Sequence, residues 1–217
     1  MVEKRFQVLK RVMPWKGAFF YKKSEVLYQL TYVFCQRFLP AYGDRTVDQM
    51  VQAARSCKQN IVEGTEAGET SSETHIKLLN VARASLQELQ EDFRDFLLSR
   101  QLAVWTAEHP RFERMLHFCR ERNLLEEYQP YFEKWSEEEM ANIALTLCHI
   151  TDKMLRTHLL KLEQTFVTEG GIKERMHAAR TGYRQAEMEE LQRLREENKR
   201  LKAENAALRA KLGLYRN

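Results

Sequence analysis

Between residues 21 and 39 the apolar positions Val26, Leu27, Leu30, Val33, Phe34 and Leu39 recur at spacings of three, four and seven. That period puts them on one face of an α-helix. Pro40 stops the pattern, and the stretch "AYGDRT" that follows reads as a loop, with Asp44 or Thr46 placed to cap the next helix. A second stripe, Val47, Met50, Val51, Ala54, Cys57 and Ile61, predicts a helix over about 45–62 that ends near Gly64, a residue suited to a helix C-terminus. After the polar segment "TEAGETSSET", Ser71 or Ser72 can cap a third helix, whose stripe runs from Ile76 through Leu79, Leu86, Leu89 and Phe93 to about Leu102. His109-Pro110 breaks the chain, and shorter helical pieces are expected around 112–122 and 124–135. Ser136 with Glu139 three residues on is a capping box, and it opens a last stripe of Met140, Ile143, Leu147, Ile150, Met154, Leu155 and Leu159 that continues toward Phe166.

Four long amphipathic helices, each too short to persist alone, predict an all-α fold. The expected architecture is an antiparallel four-helix bundle over 20–170, with a helical insertion at about 110–135. Residues 1–19 form a basic and aromatic segment ahead of it. Gly170-Gly171 marks a boundary, with a linker expected over 171–185.

The most regular pattern lies beyond, at 186–214. With Leu191 at heptad position a, the a series is Leu191, Asn198, Asn205 and Leu212, and the d series is Leu194, Leu201 and Leu208. Leucine at each d position with asparagine at two successive a positions predicts a parallel two-stranded coiled coil, because a buried Asn pairs across a dimer and penalises other registers. The flanks agree: Glu190, Glu197 and Glu204 at g each precede by five positions a cation at e, namely Arg195, Lys202 and Arg209. A leucine-zipper homodimer is the expected partner arrangement.

Composition narrows the class. The 217 residues are 43% hydrophobic and 30% charged, with only 8 Gly and 4 Pro, too little turn punctuation for an all-β or α/β fold. Cys35, Cys57, Cys119 and Cys148 are isolated from one another and lack metal-ligand spacing, so reduced, buried thiols are expected, with no metal and no cofactor. The N-terminus has charges where a signal peptide would be apolar, and no run of about 18 apolar residues occurs, so a cytoplasmic protein without a membrane partner is expected. The net charge of +4 is unevenly spread: +6 over 1–23, −7 over 24–171 and +5 over 172–217.

One stretch carries a resemblance to a known family. Arg55-Ser56, then Asn60-Ile61-Val62-Glu63-Gly64, then Ser72-Glu73, then Ala82-Arg83-Ala84-Ser85-Leu86-Gln87-Glu88-Leu89 resemble, in identity and order, the hallmark of the four-helix-bundle family of the ribosomal-RNA intervening-sequence proteins. The likeness is dense over about 45–98, and "EGGIKERM" at 169–176 is similar to the longer subgroup with a four-helix-bundle suffix domain. Members commonly carry Pro just before the Asn, where this chain has Lys58-Gln59, and the short members lack the zipper. The resemblance implies a helical bundle, often in a ring-like homo-oligomer; a diversity-generating retroelement accessory protein with the same bundle is thought to bind nucleic acid and a reverse transcriptase.

Three groups of residues invite a chemical reading. Ser56, Asn60 and Glu63 share one helical face, but a nucleophilic Ser needs a base within reach and the nearest histidine in sequence is His75. The segment is therefore read first as a packing device, with Glu63 expected to pair with Arg83, and Ser85 and Glu88 expected opposite Asn60; a nucleic-acid surface and, last, catalysis are the alternatives. His149 and Asp152 sit three apart on the last long helix without the Glu-x-x-His pattern of bundle di-metal sites, and His75 and His158 stand alone. Lys4, Arg5, Lys10, Arg11, Lys16, Lys22 and Lys23 interleave with Phe6, Trp15, Phe19, Phe20 and Tyr21, a composition that can grip a phosphate backbone and stack bases, or else cover the end of a bundle. No dense basic run precedes the zipper, which argues against a zipper transcription factor. The sequence thus points to a non-enzymatic oligomeric scaffold or accessory protein that binds nucleic acid or a nucleic-acid-acting partner through basic ends; the alternative is a protein-protein assembly module without nucleic-acid contact.

Overall fold

A computed structural model describes residues 8, 9, 14–40 and 45–213. Among them are six α-helices and no strand: α1 (Phe19–Phe38), α2 (Arg45–Ala67), α3 (Ser72–Ser99), α4 (Phe112–Glu121), α5 (Glu137–Glu169) and α6 (Ile172–Gly213). No helix among the described residues is long and apolar enough to cross a membrane. The chain divides into two units, 9–171 and a second that contains α6.

Capping chemistry sets several helix limits. Ser71 is extended and its hydroxyl accepts from the Thr74 amide at 3.1 Å, so α3 starts at Ser72. At Ser136 the box is reciprocal: the hydroxyl accepts from the Glu139 amide at 3.2 Å and the Glu139 carboxylate accepts from the Ser136 amide at 3.0 Å. α1 stops because Leu39 precedes a proline and is driven extended, at φ −109° and ψ 153°. α5 ends at Gly170, whose φ of 72° is left-handed backbone that suits glycine. Asp44, a candidate cap, lies outside the described residues.

Three expectations are corrected. α2 does not stop at Gly64 but runs on to Ala67, with the Thr65 hydroxyl donating to the Ile61 carbonyl at 2.7 Å. Gly64 serves packing instead, since a Cβ there would stand 3.1 Å from Leu78 Cβ and 3.5 Å from the His75 carbonyl oxygen. The stretch 124–135 is not an α-helix but two 3-10 turns, Leu125–Glu127 and Gln129–Tyr131, as Pro130 cannot donate within a helix. Within the expected linker 171–185, residues 172–185 are helical and form the first part of α6.

In the first unit α1 packs on α2 and α5, and α3 packs on α2 and α5. The stripes meet there: Val26, Leu30 and Phe34, Met50 and Ile61, Leu79, Leu89 and Phe93, and Met140, Leu147 and Leu155 are all completely buried. Burying each such side chain stabilises the fold by about 1.5–3 kcal/mol. Phe34 anchors the centre, its ring 5.0 Å from Phe93 and 4.7 Å from Phe96. Neighbouring helices run in opposite directions, as side-chain pairs reveal. Phe20 meets His158 while Arg37 reaches Met140; Ser56 meets Ser85 while Gly64 meets His75; Arg83 meets Asp152 while Arg100 meets Glu137.

The insertion is tied down by two cations of α1. Lys23 is completely buried, and its ammonium donates to the carbonyl oxygens of Cys119 and Arg122 at the C-terminus of α4. Those carbonyls have no partner within the helix and form the negative end of its dipole, so an ammonium suits them. Burial lowers the Lys23 pKa below its ordinary 10.5, opposed by Cys119, Glu127 and Glu121 nearby. Further along α1, Arg37 donates to the Phe132 carbonyl and stacks 4.5 Å from the Phe38 ring centre. Between these anchors the insertion gathers its own aromatic cluster around the buried Tyr128, Phe118 lying 5.1 Å from Tyr128 and Tyr131 stacking on Trp135 at 5.5 Å.

Replacing Lys23 with Met would keep the volume and take the ammonium away from both carbonyls, leaving them only the Tyr128 hydroxyl, 3.0 Å from the Arg122 oxygen and 3.5 Å from that of Cys119. We expect Lys23→Met to lower stability by about 2 kcal/mol in urea unfolding. An unchanged midpoint would mean that the ammonium contributes nothing to holding the insertion.

Candidate functional site

Asn60 and Ser56 lie one turn apart in the middle of α2, facing α3. The Asn60 amide donates to the Ser56 carbonyl at 2.9 Å and approaches its hydroxyl at 3.2 Å, and that hydroxyl shares a 2.9 Å hydrogen bond with the Ser85 hydroxyl. Every partner of Ser56 is an amide or a hydroxyl, so no base is in place to activate it. The arrangement is a polar tie between α2 and α3. Arg55, Glu63 and Glu88 are exposed and take no part in it.

The expected Glu63–Arg83 pair is replaced by another. Arg83 grips Asp152 of α5 with two bonds, Nε to Oδ1 at 2.7 Å and Nη2 to Oδ2 at 3.3 Å. Its position on α3 faces α5, whereas Glu63 points to solvent from α2. The fork engages Asp152, His149 beside it is exposed, and no group of three metal-ligating side chains occurs among the described residues.

The basic set divides. Lys4, Arg5, Lys10 and Arg11 lie outside the described residues. Lys16 stands 5.3 Å from the Trp15 ring centre and Lys22 5.6 Å from that of Phe19, an aromatic left 57% exposed. Lys23 leaves the surface set altogether, because its ammonium is buried against α4. Cys35, Cys57, Cys119 and Cys148 are all buried, and none of the four is in a disulfide. Burial pushes the thiols of Cys57 and Cys119 up to about 12 and raises that of Cys148 as well, so none of these three is a ready nucleophile.

α6, taken by itself, has no buried residue. Leu191, Leu194, Leu201, Leu208 and Leu212 are 46–68% exposed along one stripe, with Asn198 and Asn205 exposed among them. The Asn205 amide donates to the Leu201 carbonyl at 3.1 Å.

Sequence reasoning missed a pairing of histidines. His75 at the start of α3 and His158 on α5 have ring centres 5.8 Å apart, and Phe20 packs on His158 at 5.1 Å. His75 is 3% exposed, and its Nε2 has no hydrogen-bond partner. Burial, with His158 adding to it, lowers the His75 pKa to about 4, and burial with Lys161 lowers that of His158. Eighty-three positions separate the two in sequence, so only the register of α3 against α5 could have disclosed them.

No protein-family model, no curated protein and no solved structure matches the chain. The residues themselves carry the functional argument.

The histidine pair makes stability pH-dependent in a definite direction. Both pKa values are lower in the folded chain, so the unfolded chain binds more protons between about pH 6.5 and 4. We expect the urea midpoint to fall as pH drops through that window, and the fall to be smaller in His75→Leu. Identical pH profiles for the two proteins would rule out the pair as its source.

Proposed function

We propose that the chain is a non-enzymatic oligomeric scaffold. On this reading α1, α2, α3 and α5 constitute an antiparallel four-helix bundle with α4 and the 3-10 turns as an insertion, and α6 pairs with α6 of a second copy in a parallel coiled coil. One observation carries the proposal: α6 is a helix of 42 residues whose leucine stripe is exposed. A helix polar on most of its circumference and apolar along one 3.5-residue seam is stabilised by burying that seam against a partner. Self-pairing is favoured because Glu190, Glu197 and Glu204 meet Arg195, Lys202 and Arg209 across a parallel dimer of identical chains, and because Asn198 and Asn205 then pair with themselves.

A scaffold also fits the rest of the chain. Ser56 has no base, the thiols of Cys57, Cys119 and Cys148 are raised, and three polar residues of the stretch that resembles the intervening-sequence protein family, Ser56, Asn60 and Ser85, tie α2 to α3. Four reduced cysteines suit the cytoplasm. Nucleic acid, or a protein that acts on it, is a second reading of the scaffold's cargo, favoured by Lys16 over Trp15 and Lys22 over the exposed Phe19.

Deleting the residues after Gly171 should lower the number of chains per particle measured by light scattering from two to one. An undiminished oligomer would place assembly in the first unit. Replacing both Asn198 and Asn205 with Leu should raise the melting temperature and admit species larger than dimers. For the second reading, binding of a labelled single-stranded oligonucleotide should weaken steeply as salt rises; no binding at low salt would discard it.

A further inference from the structure

A cleft of about 970 Å³ lies in the first unit along the outer face of α5, between the start of α1 and α4. On α5 it runs from Asn142 to Lys161 through positions spaced by three and four, which at 1.5 Å per residue makes a trough about 28 Å long. Its floor is apolar, with Ile150, Met154, Phe112, Leu116 and Val104 all incompletely buried. Its rim is cationic. Arg120, Lys153 and Lys161 line it and are exposed, without a carboxylate partner among the described residues, and His149 stands beside them. No Asp or Glu is among the described residues that line the cleft.

We infer that this cleft is a docking groove for an acidic amphipathic helix of a partner protein. Length and charge together select that occupant. A 28 Å open trough accepts roughly 18 residues of helix laid alongside α5, with anchors at i, i+3, i+4 and i+7 on the apolar floor. Carboxylates flanking those anchors meet Arg120 of α4 and Lys153 and Lys161 of α5. The α6 of a second copy has the wrong sign, carrying 11 Lys and Arg against 7 Glu over 172–213. Nucleic acid fits the floor less well: Phe19 and Phe112 can stack on a base, but Val104, Leu116, Ile150 and Met154 neither pair with phosphates nor stack. The groove lies wholly within the first unit, so the inference holds whether or not α6 dimerises; it adds to the scaffold reading a stated class of cargo.

The test uses the full chain and two synthetic 18-residue peptides with the same Leu and Ile anchors, one flanked by Glu and the other by Lys. Fluorescence anisotropy should show the Glu peptide binding at least tenfold tighter. The triple variant Arg120→Glu, Lys153→Glu, Lys161→Glu changes only exposed side chains and should invert the preference; the double variant Ile150→Glu, Met154→Glu should lose both peptides. Equal affinities, an unaltered preference in the triple variant, or displacement of the Glu peptide by a single-stranded oligonucleotide that binds more tightly would each overturn the inference. Dimerisation is read separately by light scattering, so failure of the groove and failure of the scaffold reading are distinguishable.

Discussion

A buried ammonium without water must find oxygen, and in this chain it finds the end of a helix. Lys23 supplies the cation and the α4 carbonyls of Cys119 and Arg122 supply the acceptors, so desolvation of one and the missing partners of the other are relieved together. The consequence reaches beyond the pair. α4 is only ten residues long and buries just Met115 and Cys119, too little to fix its place by packing alone. Held from its C-terminus by α1, and at the far end of the insertion by Arg37, it is set beside α5. The wall it forms there is what turns an exposed helix face into a groove.

The other helices are aligned by similar means at lower stakes. Apolar stripes choose which faces meet, but leucine against leucine tolerates sliding, whereas a hydrogen bond does not. Ser56, Asn60 and Ser85 mark one height between α2 and α3, and the Arg83–Asp152 fork marks one between α3 and α5. Asn142 marks a third: its side chain accepts from the Trp105 amide at 2.7 Å and donates to the Ala103 carbonyl at 2.9 Å. Leaving any of these groups buried and unpaired would cost about 1–3 kcal/mol, enough to discriminate against a shifted register. Gly64 acts sterically to the same end, since a Cβ there would stand 3.1 Å from Leu78 Cβ and press α3 away by a few tenths of an ångström.

What could be read from the sequence follows from this division. The period of the stripes discloses helices and their buried faces, and the Ser136–Glu139 box and Ser71 disclose two starts, because those signals are local. Choices between distant partners are not local. Arg83 had Glu63 as a plausible mate until the rotation of α3 turned it toward Asp152. Lys23 looked like one more cation in a basic segment, because nothing nearby shows that a helix end 96 residues away needs a donor. Gly64 could serve as a stop or as a contact, and only the packing of α3 decides. Pro130, by contrast, is a local signal against an α-helix at 124–135, and the chain there forms 3-10 turns.

The two units divide their apolar surface differently. The first unit places its large side chains in a closed core and leaves an apolar groove along α5, while α6 keeps five leucines exposed along a single line. If α6 pairs in parallel as proposed, two chains are joined with both helix N-termini at one end, and every assembly contains an even number of copies. Each joined pair then presents two grooves of the same charge to one cargo molecule. A cargo with two acidic helices would gain from the second contact through effective concentration alone, provided the span allows both to engage. That gain is reached without tight binding at either groove, which suits a trough whose floor is modest and whose rim charges are screened within about 8 Å at physiological salt. In such an assembly the zipper contributes affinity without touching the cargo, and the groove contributes selectivity through the sign of its rim.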